Sequence, residues 1–344
     1  MTDPAHSVRL GVFLLGARFP GMDDGDALRT AYEAALAAER AGFDDVWLAE
    51  HHFMSYGTCP SAVTMAGHIL GATERVRVGT AVSVLSSWHP VALAEQTALL
   101  DQLSGGRFTL GVGRGGPWID LEVFGTGLDR YEHGFPEALD LLLGALTDGR
   151  AAGTGERFRF REVAVVPRAR SRPRPPVVVA CTSAGTLELA ADRGLPMLLG
   201  LDVDDARRAA FTRHYAARAG RPGAAPPGHV AAAVGHVADS TAGAVAELRA
   251  ALPRWLGPGL AGYRPVDDRP RRPRDPVDYA EHLCRIHPVG AADLCVRRLV
   301  DTFAATGVRQ VMLMVEGCGE RERVLENVAR LGAEVLPRVR AHFG

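Results

Sequence analysis

The sequence of 344 residues contains no lysine; all 39 of its basic residues are arginines, set against 40 acidic residues for a formal charge of −1. Schiff-base enzymes need an amine that can deprotonate, and phosphate-binding P-loops need a lysine on the terminal phosphates. Pyridoxal-dependent, aldolase-like and P-loop chemistries are therefore excluded, because a guanidinium stays protonated. The near-zero charge gives no electrostatic reason to expect nucleic acid or anionic membrane as a partner. Apolar runs of about 18 residues are absent, and the opening MTDPAHSVRL has no basic flank leading into an apolar stretch. Neither membrane spanning nor export is expected. Cysteine is scarce and scattered, at positions 59, 181, 284, 295 and 318, never as C-x-x-C. An odd, dispersed set argues against a disulfide framework or a structural zinc site and suits a reducing cytoplasm.

What is present is a regular alternation. Short apolar runs at 10–15, 45–49, 76–84, 108–112, 177–180, 197–201, 229–237 and 310–315 read as strands. Helical-period segments follow them at 26–41, 62–72, 91–103, 134–147, 187–193, 204–218, 241–252 and 322–336. Parallel neighbours need crossovers of helix length, so eight strand-helix units predict one α/β domain over 1–344, a closed (β/α)8 TIM barrel. An open doubly wound sheet is the alternative, and it leaves one or two units unexplained. Two segments interrupt the pattern. Residues 150–174, with ERFRFREVAVVP, read as a small appended hairpin. Residues 257–276, GPGLAGYRPVDDRPRRPRDP, carry five prolines and clustered charge and read as an irregular, mobile, lid-like loop.

Four motifs bear on chemistry. Glu50-His51-His52 directly follows the second predicted strand, at the barrel face where active sites are built, and an imidazole titrates near neutral pH. A barrel metal site would recruit His51, His89 and His236, but no H-x-H or H-E-x-x-H spacing supports one, and no metal is expected. Gly111-Val112-Gly113-Arg114-Gly115-Gly116 satisfies G-x-G-x-x-G, yet Pro117 disfavours a helix opening there. It reads as a tight loop where a flat ligand could approach the backbone, or as a plain strand-to-helix turn. Cys181-Thr182-Ser183-Ala184-Gly185-Thr186 precedes a helix and suits either an anionic phosphate or ordinary N-capping.

The stretches AERAGFDDVWLAEHHF and LGATERVRVGTAVSVLSSWHPVALAEQTALLDQLSGGRFTLGVGRG, then FGT, GLPM and HPVG, resemble the bacterial luciferase family of flavin-dependent monooxygenases, and its catalytic α chain more than distant relatives. The resemblance implies a TIM barrel that binds reduced FMN at the carboxyl ends of its strands and oxygenates an apolar organic substrate with O2 through a carbon-4a peroxyflavin. It implies His51 as catalytic acid/base beside Glu50, Asp120 near the flavin ring, and a non-prolyl cis peptide at Ala81-Val82 beneath it. Arg114, Ser183 and Thr186 fall on the flavin-phosphate positions. Trp88, His89 and Trp118 are expected along the substrate pocket, where Ser86-Ser87-Trp88, Gly113 and Gly116-Pro117-Trp118 depart from the luciferase pattern. A separate NAD(P)H-dependent flavin reductase and a homodimer are the implied partners. A deazaflavin-dependent oxidoreductase of the same superfamily and a non-catalytic flavin-binding protein are the alternatives.

Overall fold

In the structure, a computed structural model, residues 8–220 and 228–344 are described. Eight short strands form the frame: β1 (Arg9–Leu14), β2 (Asp45–Leu48), β3 (Arg77–Thr80), β4 (Phe108–Gly113), β5 (Val177–Ala180), β6 (Met197–Leu199), β7 (Val230–Val234) and β8 (Gln310–Met314). Each pairs in parallel with its sequence neighbour. β1 and β8 pair as well, Arg9 opposite Gln310 and Phe13 opposite Met314, so the sheet closes on itself. Most strand residues are buried on both faces, as a parallel strand requires: one face packs the barrel interior and the other meets the helices. Helices α1 (Asp24–Arg40), α2 (Ala62–Gly71), α3 (Pro90–Leu103), α4 (Phe135–Asp148), α5 (Ala184–Asp192), α6 (Asp205–Ala219), α7 (Thr241–Ala261) and α8 (Arg321–Arg330) cover the outside. α1 shows the logic: Ala27, Ala31, Ala34, Ala35 and Ala38 are all buried on one face, and Asp23 caps its N-terminus by accepting from the Asp26 N–H at 2.7 Å. The architecture is a (β/α)8 TIM barrel.

The third unit is interrupted. The peptide bond between Ala81 and Val82 is cis, and beyond it Ser83–Val84 resumes pairing, now only with β4. Arg150–Thr154 and Arg159–Ala164 form an antiparallel hairpin outside the barrel.

Three differences from the sequence expectations have physical causes. α7 does not stop near 252; it runs to Ala261 through Pro253 and Pro258, because Trp255 and Leu256 are buried on its inner face and their packing outweighs the lost helical bonds. Residues 257–261 are thus the last turn of a helix and only 262–275 are irregular. Ile119–Val123 and Gly127–His133 are short helices too brief to show a period. Pro276–Ile286 and Ala292–Thr306 are full helices inserted before β8. The first of them is announced by an Asp275 cap followed by proline at N1, a start signal hidden in the arginine-rich run.

Candidate active site

A cavity of about 380 Å³ opens at the carboxyl ends of the barrel strands. Its floor is the apolar barrel interior, with Phe13, Leu198, Ala232 and Met312; its rim is the chemistry-bearing loops. Of the candidates from sequence, Glu50, His51, Asp120, Ala81, Val82 and Trp118 line it together.

Glu50 sits two residues beyond the end of β2 and is buried. Its Oε1 accepts from the Val84 N–H at 3.0 Å and the Trp88 indole N–H at 2.9 Å, while Oε2 accepts from the Ala62 N–H at 3.3 Å. One carboxylate therefore straps the end of β2 to the first turn of α2, to the segment after the cis peptide and to Trp88. These bonds orient the cavity wall.

His51 is partly buried, with its ring edge-on to Tyr56 at 5.1 Å and to Tyr263 at 6.2 Å. Its Nδ1 is buried and has no hydrogen-bond partner among the described residues. Gly57 makes that position tenable, since a Cβ there would lie 2.6 Å from Nδ1. Desolvation, aided by the neighbouring His52, lowers the His51 pKa to about 4, so the imidazole is neutral at pH 7. It is a proton acceptor in its resting form. His52 also lines the cavity, its buried Nε2 3.9 Å from Glu50 Oε1 and its ring edge-on to Phe124.

Asp120, in the short helix after β4, is buried; its Oδ2 accepts from the Ser87 hydroxyl at 3.2 Å and its Oδ1 has no partner among the described residues. Burial raises its pKa, with the Ser87 bond opposing. An unpaired buried carboxyl oxygen on a residue that lines a cavity is a place where a ligand donor would be accommodated.

Gly115 and Gly116 of the glycine-rich loop line the cavity. A Cβ at Gly113 would meet Val82 Cγ2 at 2.6 Å, and one at Gly116 would meet the Trp118 indole nitrogen at 2.0 Å. The room freed by these glycines is taken by the protein's own side chains. Arg114 lies outside the cavity wall, its guanidinium 4.5 Å over the Tyr131 ring, with no carboxylate partner among the described residues. Ser183 and Thr186 cap α5 reciprocally: Ser183 Oγ accepts from the Thr186 N–H at 3.4 Å, and Thr186 Oγ1 from the Ser183 N–H at 3.3 Å. β4 and β5 are neighbours with Val112 opposite Val179, so Arg114 and this cap follow adjacent strand ends.

Two expected substrate-pocket residues lie elsewhere. Trp88 is turned away by its bond to Glu50, and Arg130 holds its carbonyl. His89 is exposed, caps α3 by accepting from the Val91 N–H, and stacks edge-on against Phe158 of the outer hairpin at 5.4 Å. His236, the third metal candidate, bonds Glu247 at 2.9 Å. Among the described residues no three His, Cys, Asp or Glu side chains gather as a metal would need.

The sequence reading missed a group of tyrosines. Tyr56 stacks on Trp255 at 4.6 Å; Tyr263, from the irregular loop, packs 4.9 Å from Trp118; Tyr279 approaches from the inserted helix. Burial holds all three phenols protonated, with Tyr279 raised to about 12. The loop itself is tethered across the cavity. The Val266 N–H donates to the Pro117 carbonyl at 2.7 Å, Arg269 pairs with Glu132 at 2.7 Å, and Arg274 pairs with Asp202 at 2.7 Å. No local periodicity marks these residues, since each becomes a site residue only through a loop closing over a distant strand end.

Residues 8–310 match the model of the luciferase-like monooxygenase family. The alkanal monooxygenase alpha chain of the Kryptophanaron alfredi symbiont is 27% identical over 96% of this chain and 98% of its own. Among solved structures, the monooxygenase RslO1 from Streptomyces bottropensis superposes with a TM-score of 0.83 at 22% identity, covering 96% of this chain and 99% of its own. The oxygenating constituent of 3,6-diketocamphane monooxygenase from Pseudomonas putida, in complex with FMN, does so with 0.78 at 16% identity over 97% and 99%. An F420-dependent secondary alcohol dehydrogenase gives 0.75 at 18% identity over 97% and 99%.

Proposed function

Starting from the chain's membership of the luciferase-like monooxygenase family, we propose that it is a flavin-dependent monooxygenase that takes reduced FMN from a separate NAD(P)H-dependent flavin reductase, works as a homodimer, and uses O2 to oxygenate an apolar organic substrate. The observation that carries this reading is one mainly apolar cavity at the strand ends whose lining brings together a neutral His51 and Asp120. The donor set fits a flavin. Asp120 Oδ1 would take a ring N–H, Ala81 and Val82 would form the apolar wall against the ring, and Arg114 with the Ser183–Thr186 cap would meet the phosphate. With no lysine available, that phosphate depends on one guanidinium, two hydroxyls and the free amides of the first turn of α5.

When bound, reduced FMN supplies the two electrons that activate O2. The chain's own residues do the remainder. Phe13, Leu198 and Met312 keep the floor dry, and the 262–275 loop, opening and closing, shuts water out. His51 accepts a proton first and returns it later, because its lowered pKa leaves it neutral before the reaction. Glu50 positions: it holds Val84, Ala62 and Trp88 and thereby the wall on which Ala81 and Val82 lie.

The test is an anaerobic titration with reduced FMN followed by admission of O2, watched by absorbance. Binding and a long-lived oxygenated flavin spectrum are expected; failure to bind FMN in either redox state overturns the proposal. Oxygen uptake, set against hydride exchange with a deazaflavin coenzyme, separates it from the F420-type alternative. His51→Ala is expected to keep FMN binding and to lose about 10²- to 10⁴-fold in coupled product formation.

A further inference from the structure

A second chamber of about 670 Å³ adjoins the first, and His51 belongs to the walls of both. It lies between the β1–α1 loop, the loop after β2 and the end of α7. Phe53, Met54, Pro60 and Pro258 give it apolar surface, and Phe53 is 58% exposed, unusual for a large aromatic. Gly57 lines this chamber and not the first, and it is Gly57 that lies against the unpartnered His51 Nδ1. His51 thus borders this chamber on the side where Gly57 packs against its ring.

Size makes the division necessary. A cavity of about 380 Å³ lies at the small end of the range for ligand sites. A tricyclic ring system would occupy it, leaving no space for an organic co-substrate. The adjoining chamber is larger and reaches the same catalytic imidazole. Its polar groups give it a sign. Arg18 is paired with Asp24 at 3.1 Å, whereas Arg264 has no carboxylate, hydrogen-bond or aromatic partner among the described residues. One uncompensated guanidinium at the end of an apolar wall suits an anionic head on an apolar body.

Resting on the monooxygenase reading, we propose that this second chamber is the organic-substrate site and that it selects an apolar molecule bearing a carboxylate, with Arg264 holding the carboxylate and the apolar body running along Phe53 and Met54 to His51. Arg264 thus sets specificity and takes no part in the chemistry.

The experiment is calorimetric titration of the full chain with 4-phenylbutanoate and with its neutral isostere 4-phenylbutanamide, alone and after saturation with oxidised FMN. The acid is expected to bind about five-fold tighter than the amide, the size of a partly exposed ion pair. That preference should vanish in Arg264→Gln, an exposed position whose change leaves folding intact, and FMN affinity should be the same in that variant as in wild type. Acid binding should persist with FMN bound. Equal binding of acid and amide, no binding of either, a preference that survives Arg264→Gln, or displacement of the acid by FMN each overturns the inference. Failure of FMN itself to bind overturns the monooxygenase reading instead and is read in a separate titration.

Discussion

Replacing Glu50 probes the strap that holds the cavity wall. In Glu50→Gln the amide oxygen can serve the Val84 and Trp88 donors, but its NH2 group then faces the Ala62 N–H, which loses its acceptor; the reverse rotamer orphans two donors instead of one. A buried donor left unsatisfied costs about 1–3 kcal/mol, so the better rotamer costs about 2 kcal/mol. Glu50→Ala orphans all three donors and costs about 4 kcal/mol or more. Unfolding entropy of about 2.1 cal/mol/K per residue converts 1 kcal/mol into about 1.4 °C for a chain of this length. Scanning calorimetry should find Tm lowered by about 3 °C for the glutamine variant and about 6 °C for the alanine variant. FMN affinity should fall in both, because Val84 N–H anchors the segment beyond Ala81 and Val82. An alanine variant within 1 °C of wild type, with unchanged FMN affinity, would refute the strap.

Three other outcomes follow from the same structure. Arg114→Ala should weaken FMN binding about 10- to 100-fold, the worth of a charge-assisted phosphate contact, as read by fluorescence titration; normal binding would place the phosphate elsewhere. Burial lowers the His229 pKa from 6.5 to about 4, so its stabilisation is complete above pH 6.5 and is lost as pH falls toward 4. Urea titrations should show about 3 kcal/mol of loss across that window from this residue, and a shallower fall in His229→Gln, which can still accept the Met197 N–H. Asp120→Leu gives up a single side-chain hydrogen bond, from Ser87, and should keep the fold yet weaken FMN binding measurably; unaltered binding would show that the carboxyl meets no ligand.

The barrel was legible because its strands are buried on both faces, which writes each as a compact apolar run separated from the next by a helical period. Where tertiary contacts override local rules, legibility ended: Pro253 and Pro258 read as breakers, but Trp255 packs against Tyr56 and Phe19 and carries α7 through them. His51 and Glu50 could be picked out because they follow a strand end closely, whereas Asp120, in a short helix beyond β4, was visible only through the family resemblance. Tyr56, Tyr263 and Tyr279 could not, since they meet only after residues 262–275 fold across the opening. Trp88 and His89 stood in a conspicuous motif beside the site, yet a single bond to Glu50 and the cap on α3 turn them elsewhere.

The pairing of β1 with β8 has a consequence for the chain as it is made. Glu316, two residues past β8, accepts from the Leu15 and Ala17 N–H groups, contacts that join positions about 300 residues apart. During synthesis the free edge of β1 waits until almost the whole polypeptide has left the ribosome before it finds its neighbour. Until then a row of unpaired amides and carbonyls, flanked by apolar side chains, is open to strands of other nascent chains. Shortening the protein from its C-terminus past residue 310, which removes β8, would make that exposure permanent, and insoluble product rather than a weaker enzyme is the outcome such a truncation should give.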